Sequence, residues 1–286
     1  MIIVRSVAEL RVAVASARAR GASIGLVPTM GAFHEGHLAL MRRAGERCGF
    51  VIVSLFVNPT QFNEAADLER YPRDEARDAR LAGDAGADVL FAPSPEEVYP
   101  AGFSTTVEVS GVSEPLEGEV RGPKHFRGVA TVVAKLLNMA QPDDAFFGQK
   151  DAQQALLIRR MARDLDFPVR IEVCPTVREA DGLAMSSRNV LLRADDRARA
   201  PALYAALRGI ADDIAAGERS AERLIAIATA RLASQAIDPE YLAIVSTDTL
   251  APVATVTSEV LVPVAARFGS VRLIDNVIVT PPRGAA

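Results

Sequence analysis

The apolar and polar positions of the chain follow two periods in turn. From Ser6 to Arg20 apolar residues recur at helical spacing, Ser6 stands where an N-cap belongs, and Glu9 completes a capping box. Ile24 to Pro28 is a short apolar run that reads as a strand. The alternation then repeats. A helix is expected over 37–47, a near-continuous β-rich run over Val51 to Val57, and a charged amphipathic helix over 73–85. A strand over Asp88 to Ala92, a helix over 129–141, a strand over Ala145 to Phe147, a helix over 151–166 and a strand over Val169 to Val173 complete the series. Apolar runs unbroken by polar residues mark parallel strands covered on both faces. Residues 1–176 are therefore expected to form an α/β domain, a Rossmann-like parallel sheet with helices on both faces.

The rhythm then changes. Two Ala- and Arg-rich helices, 195–216 and 220–235, meet at Gly217-Glu-Arg, and strand-like runs follow at Tyr241 to Val245, Glu259 to Ala265 and Val271 to Val279. That order predicts a smaller α+β domain over 177–286, with a frayed tail from Pro281.

Composition narrows the class. With 286 residues, 49% hydrophobic and 24% charged, the chain has the balance of a globular protein. A formal net charge of −4 argues against a dedicated nucleic-acid binder. No apolar run reaches the ~18 residues of a membrane helix, and Arg5 and Arg11 interrupt the apolar start, against a signal peptide. Cys48 and Cys174 are too few for a disulfide framework or a cysteine zinc site. A cytoplasmic location is expected. Lysine is confined to Lys124, Lys135 and Lys150, and histidine to His34, His37 and His125. Residue types this scarce, kept in turn-rich segments, are candidates for chemistry.

The most informative segment is Pro28-Thr-Met-Gly-Ala-Phe-His-Glu-Gly-His37, between a strand and the next helix. Open α/β sheets bind ligands at the carboxyl ends of their strands. Helix N-termini there offer backbone N–H groups and a positive dipole end, which suit phosphate. No G-x-G-x-x-G occurs, and although Gly31 and Gly36 have the P-loop spacing, His37-Leu38 replaces the required Lys-Ser/Thr. The spacing of the two histidines does not match H-E-x-x-H. What remains is H-x-G-H, with His34 and His37 near one another at the first helical turn and Gly36 allowing close backbone approach. The alternative is a pair of histidines that merely cap the helix.

The segment P-T-M-G-A-x-H-x-G-H resembles the signature of the pantoate–β-alanine ligases (pantothenate synthetases), which share H-x-G-H with class I aminoacyl-tRNA synthetases. Further segments match in order: Phe56-Val-Asn-Pro-Thr-Gln-Phe62, Tyr71-Pro-Arg73, His125-Phe-Arg-Gly128 leading to Lys135, Phe147-Gly-Gln-Lys-Asp-Ala-Gln-Gln154, Pro175 to Asn189, and Arg272-Leu-Ile-Asp-Asn276. The resemblance spans essentially the whole chain. One departure is Arg121-Gly-Pro-Lys-His-Phe126, a residue longer than the family's R-P-x-H-F, which leaves Arg121 and Lys124 without an assigned role.

The resemblance implies ATP-driven condensation of pantoate with β-alanine through a pantoyl-adenylate, releasing AMP and pyrophosphate, by a homodimer. It implies catalytic roles for His34, His37, Lys150 and Arg188, with His37 as proton donor. It implies ATP contacts at Met30, Gly31, Ala32, Phe33, His34, Glu35, Gly36 and His37. Further ATP contacts would come from Gly148, Gln149, Lys150, Asp151, Val177, Met185, Ser186, Ser187 and Arg188, the last four as counterpart of the synthetases' K-M-S-K-S loop. Gln61 and Gln154 would hold the pantoate hydroxyls and carboxylate, with Gln61 also near β-alanine. Asn58 would contribute there, and Pro28, Met30, Val132 and Val133 would form an apolar wall. Lys150 at a strand end suits phosphate oxygens on its own chemistry, and Asp151 suits ribose hydroxyls or a helix cap. Magnesium is expected with ATP and needs few carboxylates. Asp74, Glu75 and Asp78 are the candidates, against the alternative of a solvated helix face.

Two other functions compete. A nucleotidyltransferase stopping at a nucleotide-linked product would share H-x-G-H, but the Gln61 and Gln154 segments favour the ligase. A non-catalytic nucleotide-binding regulator would bind ATP without releasing pyrophosphate.

Overall fold

The five strands expected in the first part of the chain pair in parallel, and a short sixth, at the amino terminus, joins them. The computed structural model describes residues 1–282, and the last four residues of the tail expected to fray lie outside the described residues. β1 (Ile2–Val4), β2 (Ile24–Thr29), β3 (Phe50–Leu55), β4 (Val89–Phe91), β5 (Asp144–Gly148) and β6 (Arg170–Cys174) form one parallel sheet of order β1-β4-β3-β2-β5-β6. The helices between them are α1 (Val7–Ala19), α2 (Glu35–Arg47), α3 (Ala65–Arg70), α4 (Glu75–Asp84), α5 (Pro95–Val98), α6 (Glu117–Arg121), α7 (Pro123–Ala140) and α8 (Ala152–Asp164). Right-handed crossovers send the β2–β3 and β3–β4 connections over one face and the β1–β2 and β4–β5 connections over the other. Accordingly α2 touches α4, and α1 touches α7.

The local signals explain most boundaries. Ser6 caps α1 through the reciprocal bonds with Glu9 that its spacing suggests. α7 starts at Pro123 rather than 129, because proline is favoured in a first helical turn and the polar Lys124-His125 start hides the apolar period. Left-handed Gly122 joins α6 to α7, and Arg121 donates to Glu117 Oε2 at 2.7 Å within α6.

Met1–Gln149 and Gln153–Pro175 form one compact unit, and Lys150–Ala152 with the chain from Thr176 onward form another. The second unit carries α9 (Ala194–Arg199), α10 (Ala202–Ala215) and α11 (Ala221–Ala233). Its antiparallel sheet runs β10 (Val271–Val279), β9 (Val260–Phe268), β7 (Pro239–Leu242), with β8 (Val245–Ser246) beside β9. Leu203, Leu207, Ile210, Leu224 and Leu232 from its helices share a core with Val260, Val262 and Val264. The helix expected over 195–216 is two helices, because Pro201 has no N–H to continue the ladder. Among the described residues no helix is long and apolar enough to cross a membrane.

Both cysteines are buried, free thiols. Burial pushes each up to about 11, helped at Cys48 by the adjacent Asp144 carboxylate and at Cys174 by Glu172. Asp144 itself is held low, first by its hydrogen bond from Arg170. Unfolded thiols ionise near pH ~8.5. Between there and about 11 the native state thus keeps protons that the unfolded chain releases, so stability is lost as pH rises through that window. The urea midpoint should fall between pH 8 and 10.5, and less steeply for a Cys48→Ala/Cys174→Ala variant. Equal slopes for the two proteins would contradict this assignment.

Candidate active site

From β2 the chain runs to β3 and β4 on one side and returns to β5 and β6 on the other, which puts the topological switch point between β2 and β5. Open parallel sheets bind ligands there, beyond the carboxyl ends of the strands. Thr29 ends β2, and its Oγ1 donates to the Ser54 carbonyl on β3 at 2.5 Å. The turn carrying H-x-G-H follows.

Two successive left-handed residues, Gly31 (φ 90°) and Ala32 (φ 53°), reverse the chain. A Cβ at Gly31 would lie 2.7 Å from Leu55 Cδ1 and 2.9 Å from Asp78 Oδ2, so glycine is required. Asp78, on α4 and 1% exposed, holds this turn from beneath. Its Oδ2 accepts the Ala32 N–H at 2.8 Å and its Oδ1 the Phe33 N–H at 2.9 Å. The Phe33 ring lies in the core with Val27, Leu40, Met41 and Val53.

His34 is the N-cap of α2. Its Nδ1 accepts the Gly36 N–H at 3.2 Å, while His37 Nδ1 accepts the His34 N–H at 3.3 Å. The two rings stand 4.2 Å apart, and Phe33 lies 5.5 Å from His37. Each Nδ1 that accepts a hydrogen bond carries no proton, so the ring proton is on Nε2 in both. The capping role is therefore real, and it sets each imidazole as an Nε2–H donor. This corrects the expectation that backbone amides of the turn face a phosphate: those of Ala32, Phe33, His34 and Gly36 are spent on Asp78 and the two rings. Phe33, expected at ATP, offers neither ring nor N–H. Glu35 is exposed and pairs with Arg42.

The turn after β3 brings Met30 and Gln61 together, with Gln61 Nε2 at 3.2 Å from Met30 Sδ. Gln61, Gln154, Pro28 and Met30 are half-buried. Val132 and Val133 are buried in α7. Asn58, expected at the substrate, is 1% exposed and bonded on both ends of its amide to Thr60, Tyr99, Gln61 and Gly128. His125 Nδ1 is 2.9 Å from the Gln61 carbonyl oxygen.

In the unit that starts at Thr176, one ion pair organises the predicted loop. Arg178 meets Asp275 on β10 through two bonds of 2.6 and 2.9 Å, donates to the Gly182 carbonyl and stacks 3.5 Å over Tyr204. It anchors a hairpin in which the Met185 N–H donates to the Val177 carbonyl at 2.9 Å. The hairpin leads into half-buried Met185, Ser186 and Ser187 and exposed Arg188, whose N–H donates to Ser186 Oγ. Gly148 ends β5, Gln149 opens the following turn, and Lys150 Nζ is 4.0 Å from Asp151. The Lys150 carbonyl accepts from Asn276 Nδ2 at 3.0 Å.

The three carboxylates expected to hold magnesium do not form a cation site. Asp74 caps α4 by accepting the Arg77 N–H, Glu75 pairs with Arg5 at 2.5 Å and is held low by that bond, and Asp78 is spent beneath the turn. Among the described residues no group of three or more His, Cys, Asp or Glu is placed to hold a metal. Sequence reasoning assigned no role to Arg178, Asp275, Asn276 or Tyr99. The first three lie in segments that carried the family resemblance, whereas Tyr99 had no signal.

A parallel sheet with a glycine turn and paired imidazoles at its switch point is the arrangement of an α/β enzyme, and open sheets of this kind take their ligands at the carboxyl edge. The chain belongs to the pantoate–β-alanine ligase family, whose model matches residues 2–278. The pantothenate synthetase of Cereibacter sphaeroides is 54% identical over 275 residues, covering 96% of this chain and 98% of that protein. That of Moorella thermoacetica is 52% identical over 281 residues, covering 97% and 98%. The crystal structure of pantothenate synthetase from Thermus thermophilus superposes with a TM-score of 0.91 at 48% identity, covering 98% of this chain and 100% of that one. Pantoate–β-alanine ligase from Francisella tularensis, complexed with beta-gamma ATP and beta-alanine, gives a TM-score of 0.77 at 34% identity over both full chains.

Asp78→Ala leaves the Ala32 and Phe33 amides without an acceptor, at about 1–3 kcal/mol in all, most of it at the buried Phe33 amide and less at the half-buried Ala32 amide. Urea denaturation should show a loss in that range, with Asp78→Asn losing less because one acceptor remains. An Asp78→Ala protein within ~0.5 kcal/mol of the wild type would mean that the turn does not rest on this carboxylate.

Proposed function

We propose that the chain joins pantoate to β-alanine at the expense of ATP, through a pantoyl-adenylate, releasing AMP and pyrophosphate. The observation that carries this reading is the paired-histidine cap at the sheet's switch point in a chain matched to the ligase family over residues 2–278. The pantoate carboxylate attacks the α-phosphorus of ATP, and the bond to pyrophosphate breaks. Negative charge grows on the α-phosphate and on the leaving group, and placed donors and cations stabilise it. His34 and His37 supply Nε2–H donors to phosphate oxygens, with His37 as the proton donor. Lys150 follows the charge onto pyrophosphate, while Ser186, Ser187 and Arg188 bind the β- and γ-phosphates. Gln61 and Gln154 hold pantoate by its hydroxyls and carboxylate. The β-alanine amine then attacks the acyl carbon, forming the amide bond as AMP leaves and the amine gives up a proton.

Magnesium enters on this reading as part of the substrate, MgATP, because the candidate carboxylates are committed elsewhere. A homodimer in the cytoplasm completes the proposal, by resemblance to the family.

The half-reactions should separate. ATP and pantoate alone should support pyrophosphate exchange into ATP, and an exchange that needs β-alanine would rule out the adenylate. Lys150→Ala should slow adenylate formation about 10²–10³-fold, the usual effect of removing one transition-state donor. Lys150→Arg should recover only part of it, since a planar fork does not replace a compact ammonium. Single-turnover formation of adenylate within about threefold of the wild-type rate, or ~0.65 kcal/mol, would take Lys150 out of the mechanism.

A further inference from the structure

A side-chain amide has two ends of nearly equal shape and opposite hydrogen-bonding character. Which end of a glutamine faces a ligand decides whether it accepts or donates there. We propose that Asn58, clamped by Tyr99 and Thr60, sets the Gln61 amide so that its NH2 donor, and not its carbonyl, is turned to the substrate. This makes Asn58 and Tyr99 positioning residues for pantoate, and it rests on the reading of Gln61 as a pantoate contact.

Two of the groups around Asn58 have a hydrogen-bonding character that cannot change. The Thr60 backbone N–H can only donate, and it lies 3.3 Å from Asn58 Oδ1. The Gly128 carbonyl can only accept, and it lies 3.1 Å from Asn58 Nδ2. Turning the Asn58 amide over would set N–H against N–H and carbonyl against carbonyl. Two hydroxyls reinforce the orientation: Tyr99 donates to Oδ1 at 2.8 Å and Thr60 Oγ1 at 2.9 Å. Burial pushes the Tyr99 phenol up, which keeps it a donor.

The remaining hydrogen of Asn58 Nδ2 goes to Gln61 Oε1 at 3.0 Å. Gln61 therefore has its carbonyl committed to an N–H donor, and its NH2 is the opposite end. That NH2 lies 3.2 Å from Met30 Sδ, a weak acceptor that a carboxylate or hydroxyl oxygen replaces with a gain. The backbone of Gln61 is fixed as well. His125 holds its carbonyl, and α7 presses so closely that a Cβ at Gly128 would lie 2.8 Å from both the Gln61 Cα and its nitrogen. Backbone and amide are both set before a substrate arrives, which lowers the cost of binding an oxygen acceptor and offers nothing to an ammonium group.

The test is a mutant cycle read in adenylate formation, with KM for pantoate and for ATP measured separately in Tyr99→Phe, Asn58→Asp, Gln61→Ala and the two double variants containing Gln61→Ala. Gln61→Ala should raise the pantoate KM at least about tenfold, and Tyr99→Phe about three- to tenfold, the range for losing one hydrogen bond. Asn58→Asp can no longer donate to Gln61 and should match Gln61→Ala. The ATP KM should stay within about twofold throughout, and neither Tyr99→Phe nor Asn58→Asp should add to Gln61→Ala. Should Asn58→Asp fail to fold by circular dichroism, the Tyr99→Phe arm, which deletes one oxygen, decides alone. Effects that multiply in the Gln61→Ala background, or a Tyr99→Phe enzyme with unchanged pantoate KM, would overturn the proposal. Wild-type enzyme lacking pantoate-dependent pyrophosphate exchange would instead strike the functional reading, and it needs no variant to be seen.

Discussion

One buried carboxylate carries the geometry of the histidine turn. Asp78 takes the two amides that follow the left-handed reversal at Gly31 and Ala32, and so determines where Phe33 enters the core and where His34 meets α2. A left-handed alanine is a costly conformation that persists only when its surroundings hold it. Here two charge-assisted bonds do so, and Arg77 Nη2 adds a third hold by donating to the Phe33 carbonyl at 3.2 Å.

Everything downstream inherits that placement. Because His34 begins α2, its ring accepts from Gly36, and because His37 lies one turn on, its ring reaches back to the His34 amide. A serine–glutamate capping box consumes its side chains in the same way, but an imidazole keeps a second nitrogen. On the proposed reading, capping and ligand binding, which compete for most residues at a helix start, are shared between the two nitrogens of each ring. The positive end of α2 is thereby expressed through side-chain N–H groups rather than through backbone amides.

The parallel sheet was legible because its strands are apolar runs set between helical periods, and the H-x-G-H turn was legible because it falls between them. What escaped were features decided by partners far along the chain. β1 has three residues, two of them exposed, and its short apolar run stops at Arg5, too soon to read as a strand. Asp74, Glu75 and Asp78 share a short charged stretch and look alike in sequence. Only the fold separates a helix cap and a surface ion pair from a buried anchor for residues more than 40 positions earlier. Arg178 and Asp275 are 97 positions apart, and no local pattern couples them. Tyr99 acts at the end of a four-residue helix with no periodicity to read.

Lys150 sits in the middle of the chain, yet its carbonyl is held by Asn276 on the last strand. Its short turn clusters with the residues after Thr176, although the chain on either side of it belongs to the sheet unit. Domains fold as units, and the amino-terminal one folds first as the chain leaves the ribosome. A nascent chain ending short of β10 can therefore complete its parallel sheet and cap α2 with both histidines, and still lack the partner that seats Lys150. The cation is translated halfway and anchored last, so a protein interrupted near its end would carry Lys150 in its sequence without the strand that fixes it in space.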